Sequence, residues 1–282
     1  MLYCQAQNSD SEKIDIKVTA LTDNVIMLEG SGGQIGVVKG DHSLLVIDAQ
    51  FEPLYDKIKA SISEWSSLPV EYLLNTHWHN DHTDGNEPFS VDGATIIANQ
   101  NVKSRLSSEQ KVEYFNKVVP ALPETARPRI TFSEMLTIQM GEEQVNVIHL
   151  PNAHTDGDAI IHLPKSNVIH MGDTYFSGMY PFIDISTGGN IKGIIKACEL
   201  VLSLSDEHTK IICGHGPLSN HKDLLTYTAM LKDIAEKVET AKNKGLELKA
   251  IVEMNITAPY DQTYNVGFVQ PKDLIAFVYY SL

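Results

Sequence analysis

Thr76-His77-Trp78-His79-Asn80-Asp81-His82 holds four metal-ligand side chains, His77, His79, Asp81 and His82, within six positions. The stretch follows Val70 to Asn75, a run that reads as a strand, so the backbone can curl at its end and project side chains to one point. A lone histidine is most simply a surface or satisfied core residue. Four ligand types packed this closely at a strand end have no such bland explanation. His77 and His79, two positions apart, can face one metal, while Asp81 and His82 turn towards a second. Imidazole and carboxylate donors suit zinc, with Zn–N near ~2.0–2.1 Å.

Three more ligand candidates stand downstream, each where an apolar strand gives way to a loop. His154 lies in Asn152-Ala-His-Thr-Asp-Gly after the strand Gln144 to Leu150. Asp173 lies in Gly172-Asp-Thr after Val168 to Met171, and His215 in Gly214-His-Gly-Pro217 after Thr209 to Ile212. Each has a glycine nearby, which permits close backbone approach. Together with the cluster, the three make a constellation.

In order and motif by motif, His-Trp-His-Asn-Asp-His followed by His154, Asp173 and His215 resembles the metallo-β-lactamase superfamily. The family's first motif, an aspartate ending an early strand, matches Asp48 in Leu44-Leu-Val-Ile-Asp. The resemblance runs from about Ile14 to the C-terminal helices. It implies an α/β fold, an αββα four-layer sandwich of two mixed sheets with helices outside, and a dinuclear metal site at one edge. It further implies that His77, His79 and His154 hold one Zn2+ and that Asp81, His82 and His215 hold the other. Asp173 would bridge the pair and Asp48 would orient a ligand imidazole. The activity implied is hydrolysis of a carbonyl-centred bond (amide, lactam, ester, lactone or thioester) by a hydroxide held between two cations, with Asp81 orienting it or carrying its proton.

Departures from the pattern narrow the reading. The stretch from His154 to Asp173 looks like subclass B1 β-lactamases, which carry a metal-binding cysteine at the Asp173 position and usually a carboxylate-gripping lysine three residues on. Here those positions are Asp173 and Phe176, so weak β-lactamase activity is expected. Glyoxalase II carries an extra histidine where this chain has Trp78. Two alternatives share the ligand set: a di-iron redox or oxygen-handling protein of the same fold, and a non-catalytic metal-binding protein. Iron and manganese are the alternative metals.

Elsewhere the chain reads as strands then helices, twice over, which suggests two sheets packed face to face. Gln34 to Lys39 and Ser43 to Asp48 pair about Lys39-Gly40-Asp41-His42. Pro53 opens a helix with Leu54, Ile58, Ile62 and Trp65 on one face; Asn101 to Val118 reads as another. Asn190 caps a third, a long helix spans about Asn220 to Lys244, and Pro271 opens the last. His42, His149, His162, His170, His208 and His221 are assigned no ligand role. Trp78, Phe176, Tyr180 and Asn190 are candidates for the substrate pocket. Tyr175 and Phe182 share the loop after Asp173 and are expected to line the same apolar pocket, with the Gly30–Gly33 turn opposite.

Composition bounds the partners. The chain has 282 residues, 43% of them hydrophobic, and three cysteines, none in a CxxC pair. A protein this long buries about three quarters of its unfolded surface and needs no disulfide framework. No apolar run approaches the ~18 residues of a membrane span. A net charge of −14 repels phosphate backbones, so a small-molecule substrate is expected rather than nucleic acid. Oligomeric state leaves no mark on the sequence. Residues 1–13 read as a tail in which Cys4 and Ala6 suit the end of a signal-peptidase site, which favours a periplasmic or secreted protein over a cytoplasmic one. Residues 14–282 read as one hydrolase domain.

Overall fold

The computed structural model describes residues 13–282; the leader-site reading of Cys4 and Ala6 lies outside them. Strands β1 (Lys17–Ala20), β2 (Val25–Glu29), β3 (Ile35–Lys39) and β4 (Leu44–Ile47) form an antiparallel meander. The β3–β4 turn closes where Gly40 N–H donates to Ser43 O at 2.9 Å, as the Lys39-Gly-Asp-His42 signal predicts. Helix α1 (Tyr55–Trp65) buries Ile58 and Ile62 and returns the chain to β5 (Val70–Leu74), parallel to β4. Two short helices follow, α2 (Asn80–Thr83) and α3 (Asn86–Val91), then β6 (Thr95–Asn99), parallel to β5.

The helix expected over 101–118 is shorter than its apolar spacing suggests. Helix α4 covers only Gln100–Leu106, and a two-stranded ribbon replaces the rest, β7 (Gln110–Val112) against β8 (Lys117–Val119). Local chemistry gives the reason. Ser107 and Ser108 turn their hydroxyls back onto the carbonyls of Lys103 and Ser104, which competes with helix continuation. Asn116 takes φ 46°, a turn conformation asparagine tolerates, and the β-branched Val112, Val118 and Val119 suit strands. Strand β9 (Ile130–Phe132) then completes a seven-stranded sheet of order β1-β2-β3-β4-β5-β6-β9.

The second sheet has six strands in sequence order: β10 (Met135–Met140), β11 (Glu143–His149), β12 (Ala159–Leu163), β13 (Val168–His170), β14 (Lys210–Ile212) and β15 (Ser219–Asn220). Only β13 and β14 pair in parallel. Between them runs α5 (Ile191–Leu204), capped by Asn190, whose side chain accepts from Lys192 N. Helix α6 (His221–Asn243) is capped likewise by Asn220; α7 (Leu248–Glu253), α8 (Asp261–Tyr264) and α9 (Pro271–Ser281) close the chain. None of the helices among the described residues is long and apolar enough to cross a membrane.

Alternation along the strands gives each sheet two apolar faces, and three layers of core result. Met27, Val38, Ile47 and Leu74 meet Val145, Val147, Ile161 and Ile212 between the sheets. Ile26, Val37, Val46 and Leu73 pack on α1 from outside, while Ile160, Ile169 and Ile211 pack on α5, α6 and α9. This is the αββα arrangement. Cutting a fully buried residue such as Ile161 to alanine costs ~2–5 kcal/mol, so the frame beneath the strand ends is stiff.

Candidate metal centre

Strands β4, β5, β11, β13 and β14 each deliver a polar side chain just past their carboxyl ends. The backbone at Asp48, directly after β4, is left-handed with φ 64°, which swings its carboxylate under the loop that follows β5. There Asp48 Oδ1 accepts from Thr76 N at 2.7 Å, and Oδ2 accepts from Thr76 Oγ1 at 2.8 Å and sits 2.8 Å from His82 Nδ1. Because the Thr76 hydroxyl donates to Asp48, it must accept from His77 Nδ1, 3.0 Å away.

The outward nitrogen of each neighbouring imidazole is held in the same fashion. His154 Nδ1 donates to the Phe182 carbonyl at 2.8 Å, and His79 Nε2 donates to Asp184 Oδ2 at 3.0 Å. These anchors fix the tautomers and turn one lone pair of each ring inward. His79 Nδ1 and His154 Nε2 therefore face one another, lone pair to lone pair, at 2.9 Å. A cation between them relieves that repulsion. His77 Nε2, His82 Nε2 and Asp173 Oδ1 are buried with no hydrogen-bond partner. Leaving such groups unsatisfied costs ~1–3 kcal/mol each, and here they point at a common centre.

The ligand atoms fall into two sets. His77, His79, His154 and Asp173 bring theirs within 4.8 Å of one another, and so do Asp81, His82 and His215. Asp173 stands between the sets. Its Oδ2 lies 3.5 Å from His154 Nε2, 3.8 Å from His77 Nε2 and 3.3 Å from His215 Nε2, and its Oδ1 lies 3.1 Å from His82 Nε2. Asp81 Oδ2 is 3.2 Å from His215 Nε2 and 3.6 Å from His82 Nε2. The six non-ligand histidines, His42, His149, His162, His170, His208 and His221, belong to neither set.

Charge sorts the two sets. Burial, with neighbouring rings adding to it, holds His77 well below the usual imidazole range and brings His154 down to about 4, so both are neutral donors. Around the second set, burial opposes charge, yet Asp173, Asp81 and Asp48 hold His82 well above its ordinary value. His215 is likewise raised to about 10 against burial, by Asp173 and Asp81. The carboxylates of this site demand compensating positive charge. A nitrogen and oxygen donor set without thiolate accommodates zinc, iron or manganese, and two clusters suit two ions.

Two glycines admit this packing. A Cβ on Gly33 would come within 2.0 Å of the His82 ring, and one on Gly214 within 1.9 Å of Asp173 Oδ1. The Gly30–Gly33 turn thus presses on the second ligand set, with Gly33 N–H donating to Asp81 O at 3.1 Å.

Four of the expected pocket residues lie elsewhere. Trp78, Phe176 and Tyr180 are each 1% exposed, and none reaches the cleft at the metal-ligand cluster. Trp78 is buried in the core with its ring centre 4.6 Å from that of His79, and Phe176 stacks behind His215 at 5.3 Å. The Tyr180 hydroxyl is spent on Asp261, and Asn190 caps α5 while donating to Ser281 O. Of the aromatics in the loop after Asp173 it is Phe182 that lines the cleft, with side chains from distant segments, among them Phe51, Asn80, Phe115, Lys117 and Phe268. Asp184 also escapes sequence reasoning. Its one signal is a lone carboxylate in the otherwise apolar run Pro181-Phe-Ile-Asp-Ile185.

Comparison with known proteins agrees with the geometry. The sequence pattern of the Metallo-beta-lactamase superfamily matches residues 28–235. An uncharacterized protein from Aquifex aeolicus is 32% identical over 175 residues, 61% of this chain and 77% of that one. A hydroxyacylglutathione hydrolase from Erythrobacter litoralis is 27% identical over 109 residues, 38% of this chain and only 35% of that protein's length. Among solved structures, a metallo-beta-lactamase from Pontibacter korlensis superposes with a TM-score of 0.63 at 17% identity, covering 78% of this chain and all of its own. Since the superfamily match takes in every junction from Asp48 to His215, the chain belongs to the metallo-beta-lactamase superfamily.

Proposed function

We propose that this protein is a dinuclear zinc hydrolase of small molecules that cleaves a carbonyl-centred bond, with residues 14–282 acting as one hydrolase unit. The observation that carries the reading is the set of inward-facing ring nitrogens of His77, His79 and His154, with an Asp173 oxygen, gathered at one sheet edge. His77, His79 and His154 would hold one ion, Asp81, His82 and His215 the other, with an oxygen of Asp173 towards each. Two divalent cations held there would supply Lewis acidity and lower the pKa of a water towards ~7.

The chain's own groups do the rest. Burial works against ionisation of Asp81, yet His82 and His215 hold its carboxyl down to about 2. A carboxylate in that place is suited to orienting the attacking water by hydrogen bonding or to carrying its proton. Asp48, Asp184 and the Phe182 carbonyl keep the imidazoles aimed. Phe182, 5.8 Å from His79 and nearly parallel to it, keeps water off that side of the site.

Hydrolysis of β-lactams is proposed as a weak side activity. Phe176 places no cation beside Asp173, and losing a charge-assisted contact of ~1.5–3 kcal/mol costs about one to two orders of magnitude in affinity. The test is a panel of chromogenic lactam, lactone, ester and thioester substrates on protein of defined metal content. Turnover that tracks bound metal supports the reading; inactivity on every acyl class at full metal loading overturns it.

A further inference from the structure

The cleft over the metal-ligand cluster has a volume of about 780 Å³ and a lining that ligand duty does not explain. Its wall is aromatic. Phe115, on the β7–β8 turn, lies 5.3 Å from Phe182 and 5.5 Å from Phe268, ring centre to ring centre. Phe115, Val118 and Phe268 stay 50%, 54% and 47% exposed at the rim, an apolar mouth on a chain of net charge −14.

Besides the ligand histidines, one basic side chain lines this cleft, Lys117 at the start of β8. Among the described residues its ammonium forms no salt bridge, whereas eight other lysine and arginine pairs do. The acidic group that feels it is Asp84, whose Oδ2 is already engaged by Glu52 N–H at 3.2 Å. A lysine left without an ion pair, set among exposed aromatic rings, is suited to an anion attached to an apolar body.

Resting on the hydrolase reading above, we propose that the cleft selects acyl substrates bearing one carboxylate and one bulky apolar group. Lys117 takes the carboxylate, and the Phe115–Phe182–Phe268 wall takes the apolar part. A glutathione thioester, with two carboxylates and an ammonium, matches this lining poorly.

The test is calorimetric titration of the metal-loaded protein with 1-naphthylacetate and with its neutral isostere 1-naphthylacetamide. The carboxylate should bind about tenfold tighter than the amide. Lys117→Ala should remove most of that difference, Lys117→Glu should reverse it, and Phe115→Ala should weaken both compounds together. A preference for the carboxylate that survives Lys117→Ala undiminished, or no preference in the parent, overturns the proposal. Turnover of acyl substrates without binding of either naphthyl compound leaves the hydrolase reading standing and overturns this one. The predicted binding pattern with no turnover of any acyl class supports the anion-and-aromatic site and overturns the hydrolase reading.

Discussion

Removing Asp184 should weaken one metal and leave the other nearly untouched. The side chain is buried, 2% exposed, and its Oδ2 accepts from His79 Nε2 at 3.0 Å while Ser186 Oγ donates to Oδ1. Its ionised form is favoured against burial by His79, Ser186 and Thr187, which bring its carboxyl down to about 2. The carboxylate thus fixes the tautomer and orientation of the ring. Loss of such a partner costs about 10–100-fold in metal affinity, or ~1.4–2.7 kcal/mol. Asp184→Ala strands the His79 N–H in a pocket with little water, so its effect should approach ~100-fold. Asp184→Asn keeps an acceptor oxygen without the charge, so ~10-fold is expected. Competition against a chromogenic chelator, with metal per protein counted by mass spectrometry, resolves the two equivalents. If both variants bind both ions like the parent, Asp184 does not support His79 and the reasoning fails.

Three further outcomes are expected. His77→Ala combined with His79→Ala should empty one site and abolish nearly all hydrolysis; full metal content and activity would contradict the ligand assignment. Asp173→Ala should release the ion at Asp81, His82 and His215, because a two-oxygen group also offsets the repulsion of paired cations. Asp173→Cys should restore a second zinc as a terminal thiolate ligand, measured by metal content and thermal midpoint beside the parent. Gly33→Ala puts a methyl within 2.0 Å of the His82 ring, so either the turn or the imidazole must move. Loss of one metal equivalent at near-parental melting temperature is the expected result, and unchanged metal content would show that the turn yields freely.

What was legible in the sequence was what the strands dictate locally. Ligand-type side chains beside glycines, each directly after an apolar run, announce their own position, and the capping asparagine Asn190 announces the start of α5. Segment 101–118 misled because its apolar residues fit helical spacing, while the decisive competition came from Ser107, Ser108 and Asn116. The cleft wall could not be read, since Phe115 and Phe268 meet only through tertiary packing. Trp78, Phe176 and Tyr180 show the converse: proximity in sequence to ligand residues does not say which way a side chain points. Asp184 escaped for the same reason, as its partner lies 105 residues upstream.

The proposed bridge is a single carboxylate, Asp173, standing between two ions. Anomalous diffraction at the zinc edge, from crystals of protein purified without chelator, tests it most directly. Two peaks are expected, one among His77, His79 and His154, the other among Asp81, His82 and His215, with an oxygen of Asp173 towards each. A single peak at full occupancy, or two peaks that Asp173 does not touch, would contradict it.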